Sequence, residues 1–476
     1  MTGDRFAPVL RELQPLAERF AAAGHRLFLV GGTVRDLLLA GVPDGLADAA
    51  IDSSDAEFDI DATTTARPDE IKRCLQGWAD AIWTQGERFG TIGAMKRVPA
   101  GAAHQTIDRI YEITTHRAEA YDDRSRKPEV EFSFDIEADL SRRDFTVNAM
   151  AIELTASADD DPVLVDPFGG RHDLDERVLR TPRGPEASFS DDPLRMLRAA
   201  RFIARYGLQP EPSLLRAVRA MGDRMQIVSA ERIRDELDKL LAAEAPGDGL
   251  RFVTATGLLQ HVAPELIAAT SQPDERCHAH LWDHTVALVD AVQRDDGTVE
   301  FDRRIVRLAA LMRPLGTDRA RVRLQALRYS NDDTAAIVGL IDLAGPLLYR
   351  LANDDAPWTD ADVRRHLRDA AGQRSNLHAL IRAQAAVHIE PLASRLRTGL
   401  AVLASSIRSL EQRESVDDLG PQLDGAQVMA LLGIEPGPVV GDALAHLVRL
   451  RLDEGLLAND DLHSRLIQWW NDHKEE

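Results

Sequence analysis

The sequence predicts an α+β domain at the N-terminus and an all-α remainder. Two observations carry this reading. Short β-branched or apolar runs alternate with amphipathic stretches over about residues 1–165, and beyond LVDPFGG (164–170) almost every segment has helical periodicity. Residues 8–24 form an amphipathic helix through Leu10, Leu13, Leu16 and Phe20, stopping near Gly24. RLFLVGG reads as a short strand running into a glycine pair, TVRDLLLAG as the helix behind it with Gly41 as its stop, and FDIDATT as a second strand. RPDEIKRCLQGW is a helix with Pro68 in its first turn, and TIGAMK, IYEITTHR and VEFSF are further strands. DDPLRMLRAARFIARYG and SAERIRDELDKLLAAE are helices, the latter with Ser229 as its N-cap. Gly/Pro/Asp breaks near 268–276, 293–299, 353–360 and 414–425 mark connections in the remainder.

The 476 residues suffice for two to four domains. MTGDRFAPVL has no basic segment ahead of an apolar one, and no apolar run is expected to approach the length needed to span a bilayer. Cys74 and Cys277 stand far apart and fit no C-x-x-C pattern, so a cytoplasmic, disulfide-free protein with no membrane association is the expectation. A net charge of −21 argues against a nucleic-acid partner only on average. Residues 180–240 hold 12 basic and 9 acidic residues, a basic island in an acidic chain.

Four stretches carry chemistry. In LVGGTVRD (29–36), Gly31 and Gly32 follow a strand and open a helix, so backbone N–H groups can approach an anion, and Arg35 can reach a phosphate or pair with a carboxylate. Neither G-x-G-x-x-G nor a P-loop is present. In FDIDATTT (58–65), a strand turns Asp59 and Asp61 to one face, with Cα atoms roughly 6.5–7 Å apart. Such a pair is either a solvated face or a grip for divalent metal, as in two-metal phosphoryl and nucleotidyl transfer; Mg²⁺ needs few protein ligands, and Glu112 in IYEITT is a third candidate. In SRRDFTVNAMA (141–151), Arg142 and Arg143 can bind phosphates. Asp144 and Asn148 at i, i+4 share a helix face, to hold a ribose hydroxyl or to cap. In DDPLRMLRAARF (191–202), a helix from Pro193 sets Arg195, Arg198 and Arg201 in a slanted row below Asp192. The row is either a solvated face or a base reader. An Asp acceptor beside an Arg donor pairs with the amino and ring-nitrogen edge shared by cytosine and adenine; uracil and guanine present the inverse, at a cost of roughly 1–3 kcal/mol.

LVGGTVRD, FDID, RRDFTVNAMA, DPFGGRHDL, DDPLRMLRAARF and ERIRDELDKLL occur in the order found in bacterial-type CCA-adding tRNA nucleotidyltransferases and their poly(A) polymerase relatives, and the chain resembles that family over about residues 10–265. The resemblance implies a polymerase-β-like nucleotidyltransferase head (1–165), a helical neck (166–265), a degenerate HD-like helical domain (266–375) and a helical tail (376–476). It implies CTP and ATP as substrates, the 3′ end of tRNA as acceptor, and Mg²⁺ on Asp59 and Asp61. It further implies triphosphate contact by Gly32 and Arg35, nucleotide contact by Arg143, Arg198 and Arg201, and base selection by Asp192 and Arg195. HRAEAYDDRSRKPEVEF (116–132) is similar to the loop such enzymes use in switching from C to A, at full length. Poly(A) or A-only addition on the same scaffold is the alternative, and a silent RNA-binding head is another. Many relatives carry a metal-binding H…HD…D set. Here His284 in HLWDHT stands where the first ligand would, but Arg313 and Pro314 replace His-Asp, so no tight metal site is expected there; His280 and His284 at i, i+4 make at most a two-ligand pair.

Overall fold

The strands of the N-terminal region are β1 (Leu27–Val30), β2 (Ile60–Thr64), β3 (Ala81–Trp83), β4 (Thr91–Pro99), β5 (Thr106–Thr115), β6 (Arg117–Ala120), β7 (Glu129–Phe132), β8 (Ala151–Leu154) and β9 (Leu164–Val165). The structure is a computed structural model and describes all residues except 1–2, 40–59, 100–105, 121–128, 133, 156–161, 275–277, 294–299, 417–418 and 474–476. Seven strands make one mixed sheet in the order β3-β4-β5-β2-β1-β8-β9, and β6 and β7 pair as a separate antiparallel ribbon. β1 is buried along its whole length between two antiparallel neighbours, β2 and β8. β2 pairs parallel with β5, setting Asp61 beside Glu112. Residues paired in this way share a face of the sheet.

The strand-like runs of the sequence all form strands among the described residues, and β3, β6, β8 and β9 are additional. MAIEL in particular continues a functional motif, which hid its strand character. The three threonines after Asp61 have a structural task. Thr63 Oγ1 donates to the Thr114 carbonyl at 3.0 Å and lies 2.8 Å from His116 Nδ1, while Thr64 Oγ1 donates to the Arg26 carbonyl at 2.6 Å and accepts from Ala66 N at 3.1 Å. Thr65 Oγ1 accepts from Arg26 N at 3.0 Å, and together the three close the backbone bonding where β2 leaves the sheet. The first helix, Gly3–Ala22, packs Val9, Leu13, Leu16, Ala17 and Phe20 inward and ends at Gly24 with φ +82°, as the sequence predicts.

Two compact units emerge: Met1–Val228 with Phe252–Leu258, and Ser229–Arg251 with Leu259–Glu476. The second consists of helices among its described residues apart from short turns and one isolated bridge. Ser229 caps helix Ala230–Leu241, accepting from Arg232 N at 3.4 Å. Helix Asn331–Asn353 corrects one expectation, because an 18-residue window of it reaches a mean hydropathy of 1.5, enough by length and composition to cross a bilayer. It is the hub of this unit. Thr334, Ile337, Val338, Leu340, Ile341, Ala344, Leu347 and Leu351 are buried, and helices Arg303–Met312, Gly316–Ala326, Arg374–Val387 and Leu392–Glu411 pack on it. Nearby, the buried Arg307 donates to the carbonyls of Leu241, Ala243 and Val292. The three last helices form a local core from Val428, Ala443, Leu447, Leu462, Leu466 and Trp469.

Candidate active site

A cleft of about 560 Å³ in the first unit gathers Gly31, Gly32, Arg35, Asp61, Glu112, Arg143, Asp144, Asn148, Asp192, Arg195, Arg198 and Arg201. Every candidate named from the sequence therefore lines one cleft, except Asp59, which lies outside the described residues together with Phe58 and Gly41. Its floor is the C-terminal end of β1 and the start of β2, and its wall is helix Arg195–Tyr206.

The turn after β1 brings backbone close to charge. Gly31 has φ +67°, and a Cβ there would sit 2.7 Å from Arg143 Nη1 and 3.6 Å from Asp61 Oδ2. Only glycine fits both the conformation and the space. Arg143 is held by Asp139 Oδ2 at 3.4 Å, four residues back. Asp61 N donates to Thr33 Oγ1 at 3.2 Å, so the helix after the glycine pair also fixes β2. Burial pushes the Asp61 carboxyl above its ordinary value; the Glu112 charge pushes the same way, while Arg143 and Arg35 oppose. Two carboxylates on neighbouring strands, one costly to ionise, form a donor set suited to a hard divalent cation.

Arg35 lines the cleft with its guanidinium already engaged by protein groups. It is 5% exposed. It donates through Nε and Nη2 to Asp36 at 2.9 and 3.0 Å and through Nη1 to Asn148 Oδ1, and its guanidinium lies 4.3 Å from the Tyr206 ring centroid. The carboxylate-paired alternative describes these contacts. Asp144 and Asn148 do meet, with Asn148 Nδ2 donating to Asp144 Oδ1 at 2.9 Å, but not on an α-helix. Helix Ile136–Ser141 ends first, and Thr146–Asn148 is a 3₁₀ turn. Both side chains are buried and engaged with arginines. Arg198 donates to Asp144 Oδ2 from Nε at 2.9 Å and from Nη2 at 2.5 Å. Burial alone would raise the Asp144 carboxyl; the Arg198 charge, the Asn148 amide and Arg195 override it and hold the group far below the usual carboxylate range.

The arginine helix starts at Arg195 rather than Pro193. Asp192 Oδ1 accepts from Leu194 N at 3.1 Å and orders the preceding turn. Arg195 donates to Ser188 Oγ at 2.9 Å and to the Arg142 carbonyl at 2.6 Å, which fixes its guanidinium beside Asp192's turn. Met196, Leu197, Ala199, Ala200, Phe202, Ile203 and Ala204 are buried on the other faces. Sequence reasoning missed Asp139, Ser188, Thr91, Thr114 and Phe202. Asp139 had a usable signal, an i, i+4 partner in Arg143; Ser188 had none. The proposed switching loop is flanked by the β6–β7 ribbon, and its tip, 121–128, lies outside the described residues.

In the second unit, His280 and His284 do not pair. His280 begins helix Leu281–Ala291 and contacts Asp283 Oδ2 at 3.2 Å, whereas His284 is buried and turns toward Asp274, with His284 Nδ1 to Asp274 Oδ2 at 3.7 Å. Arg313 and Pro314 line a cleft of about 220 Å³ with His284.

Comparisons with known proteins agree on one family. The family model described as "Poly A polymerase head domain" matches residues 27–180, and "Probable RNA and SrmB- binding site of polymerase A" matches 207–270. The CCA-adding enzyme of Geobacillus thermodenitrificans is 32% identical over 343 residues, 71% of this chain and 70% of that protein. The CCA-adding enzyme of Limosilactobacillus fermentum is 29% identical over 94% of this chain and 93% of its own length. The crystal structure of Bacillus stearothermophilus CCA-adding enzyme in complex with CTP superposes with a TM-score of 0.65 at 24% identity, covering 99% of both chains. Thermotoga maritima CCA-adding enzyme complexed with tRNA gives 0.58 at 20% identity over 97% of this chain and 95% of that one. The head-domain match, the RNA-binding-segment match and a relative 32% identical over 71% of this chain mean that the chain belongs to the CCA-adding enzyme family.

Proposed function

We propose that the chain adds CMP and AMP, without a template, to the 3′ end of tRNA, restoring CCA. The observation that carries this is the convergence of the acids of β2 and β5, the glycine turn and the Asp192–Arg201 row on one cleft. The RNA 3′-hydroxyl attacks the α-phosphorus of CTP or ATP, and pyrophosphate leaves. Enzymes of this kind use divalent metal; Asp61 and Glu112, with Asp59, would hold Mg²⁺, which when bound neutralises the attacking oxygen and the triphosphate. The backbone of Gly31 and Gly32 and the guanidinium of Arg143 receive the phosphates. Arg35 acts through Asn148 and Asp144 as a positioning residue, locking the floor of the cleft to the arginine helix.

Asp192 and Arg195 read the base edge, accepting from its amino group and donating to its ring nitrogen. Arg195 is anchored before any nucleotide arrives, so little rotamer freedom is lost on binding. Arg198 and Arg201 add nucleotide contacts. Residues 1–165 would be the catalytic head and 166–265 the neck, ahead of a degenerate HD-like segment (266–375) and a tail (376–476), in a cytoplasmic enzyme.

Incubating the protein with tRNA transcripts ending before C, CC and CCA, with each NTP separately, tests the reading. CTP extension of the first, ATP extension of the CC-ended form and termination at CCA are expected. Long homopolymers from ATP alone would favour the poly(A) alternative, and no incorporation would overturn both.

A further inference from the structure

Outside the cleft, one cluster has the chemistry of a built site. Asp274, His278 and His284 each offer a ligand atom, all within 4.8 Å of one another. His278 Nδ1 and His284 Nδ1 both lie 3.7 Å from Asp274 Oδ2. In a tetrahedral site with bonds of roughly 2.0–2.1 Å, neighbouring donor atoms stand about 3.4 Å apart, so these edges need to contract by only a few tenths of an ångström. The His388 ring lies 5.1 Å from that of His284, centroid to centroid. Its Nε2 lies 3.1 Å from Gln384 Oε1, a contact that orients the ring.

We propose that Asp274, His278, His284 and His388 form a structural zinc site in the helical unit. Three imidazoles and one carboxylate are a borderline nitrogen/oxygen set that suits Zn²⁺ and gives Mg²⁺ or Ca²⁺ too few oxygens. It is not the H…HD…D arrangement: Arg313 and Pro314 occupy the place of that dyad, and three of the four ligands here come from outside the pattern. The ion would clamp the segment before helix Leu281–Ala291 to the end of helix Arg374–Val387, where His388 is the C-cap, two helices that already pack together. Four protein ligands would complete the ion's coordination, so its role would be to hold the fold rather than to hydrolyse.

The test uses the full chain, stripped with chelator and titrated with Zn²⁺ against a chromophoric chelator, with excess Mg²⁺ present to occupy the head. One tight zinc per chain is expected, Co²⁺ substitution should give the intense visible bands of a four-coordinate ion, and zinc should raise the melting temperature. His278→Gln, at a partly exposed position, and His284→Gln should each weaken zinc by more than about 100-fold, and His388→Gln by about 10-fold or more. The zinc-free melting curve of His278→Gln should match that of the zinc-free parent, which separates lost binding from lost folding. Substoichiometric zinc, a weak six-coordinate Co²⁺ spectrum, or variants that bind like the parent would overturn the proposal.

Discussion

The cleft of the head and the histidine cluster of the helical unit are both groups of ionisable side chains, but they are assembled in different ways. In the cleft the decisive residues lie in short consecutive motifs, because a strand end, a tight turn and one helix each deliver several of them at fixed offsets. The cluster takes Asp274, His278 and His284 from one irregular segment and the helix after it, and the packing of a distant helix brings His388 beside them. The cleft keeps its arginines in reserve for a ligand by occupying them with buried acids, as Asp144 occupies Arg198. The cluster has one acid for its imidazoles. Motif reading finds sites of the first kind whole, and of the second it singled out only His284.

The largest expected effect breaks the cleft at its acids. Asp61→Ala should lower nucleotide incorporation by at least about 10³-fold, the loss of several kcal/mol of charge stabilisation, with circular dichroism unchanged. Near-normal turnover would remove Asp61 from the metal assignment. Next is Arg198→Ala, which leaves the Asp144 carboxylate buried without its main partner. A fully buried pair broken in this way costs roughly 3–5 kcal/mol; Arg198 retains 32% exposure, so about 2 kcal/mol is expected, read from urea unfolding of the head. The sign with pH follows from the depressed Asp144 carboxyl. Its contribution is complete above the unfolded value of about 3.9 and is lost as pH falls toward the folded value, so the gap between parent and variant should narrow below pH ~4. A gap that widens in acid would contradict the pairing.

A smaller effect sharpens base reading. Asp192→Ala should blur discrimination of CTP and ATP against UTP and GTP by about 10- to 100-fold in competition assays, corresponding to roughly 1–3 kcal/mol. Unchanged selectivity would move base reading to another residue. The smallest expected effect is none: phosphodiesterase and phosphatase assays with Ni²⁺, Mn²⁺ or Mg²⁺ should show no hydrolysis, since Arg313 and Pro314 stand where a dyad would be needed. Robust metal-dependent hydrolysis would erase the contrast between a reactive cleft and a purely structural cluster.

What the sequence made legible follows from range. Period-two alternation and glycine placement located β1, β2, β4 and β5, and capping located Ser229. The limits are equally physical. Asp144 and Asn148 satisfy i, i+4 spacing, yet a 3₁₀ turn joins them, and the arginines that bind them, Arg35 and Arg198, arrive from Gly32–Leu39 and Arg195–Tyr206. Arg35 has the spacing of a phosphate ligand, but its neighbour Asp36 and the ring of Tyr206, far along the chain, absorb its guanidinium. Neither outcome can be read from a local window.

The parallel ladder between β2 and β5 gives the pair at 61 and 112 an all-or-nothing character. Tyr111 and Ile113 are buried while Glu112 is exposed, so inserting one residue just ahead of Glu112 in β5 would swing its carboxylate to the far side and point an apolar neighbour at the substrate. The hydrogen-bonded backbone thus works as a vernier. Loops around it can lengthen or shorten over generations, but the count of residues along this strand cannot drift by one without silencing the enzyme.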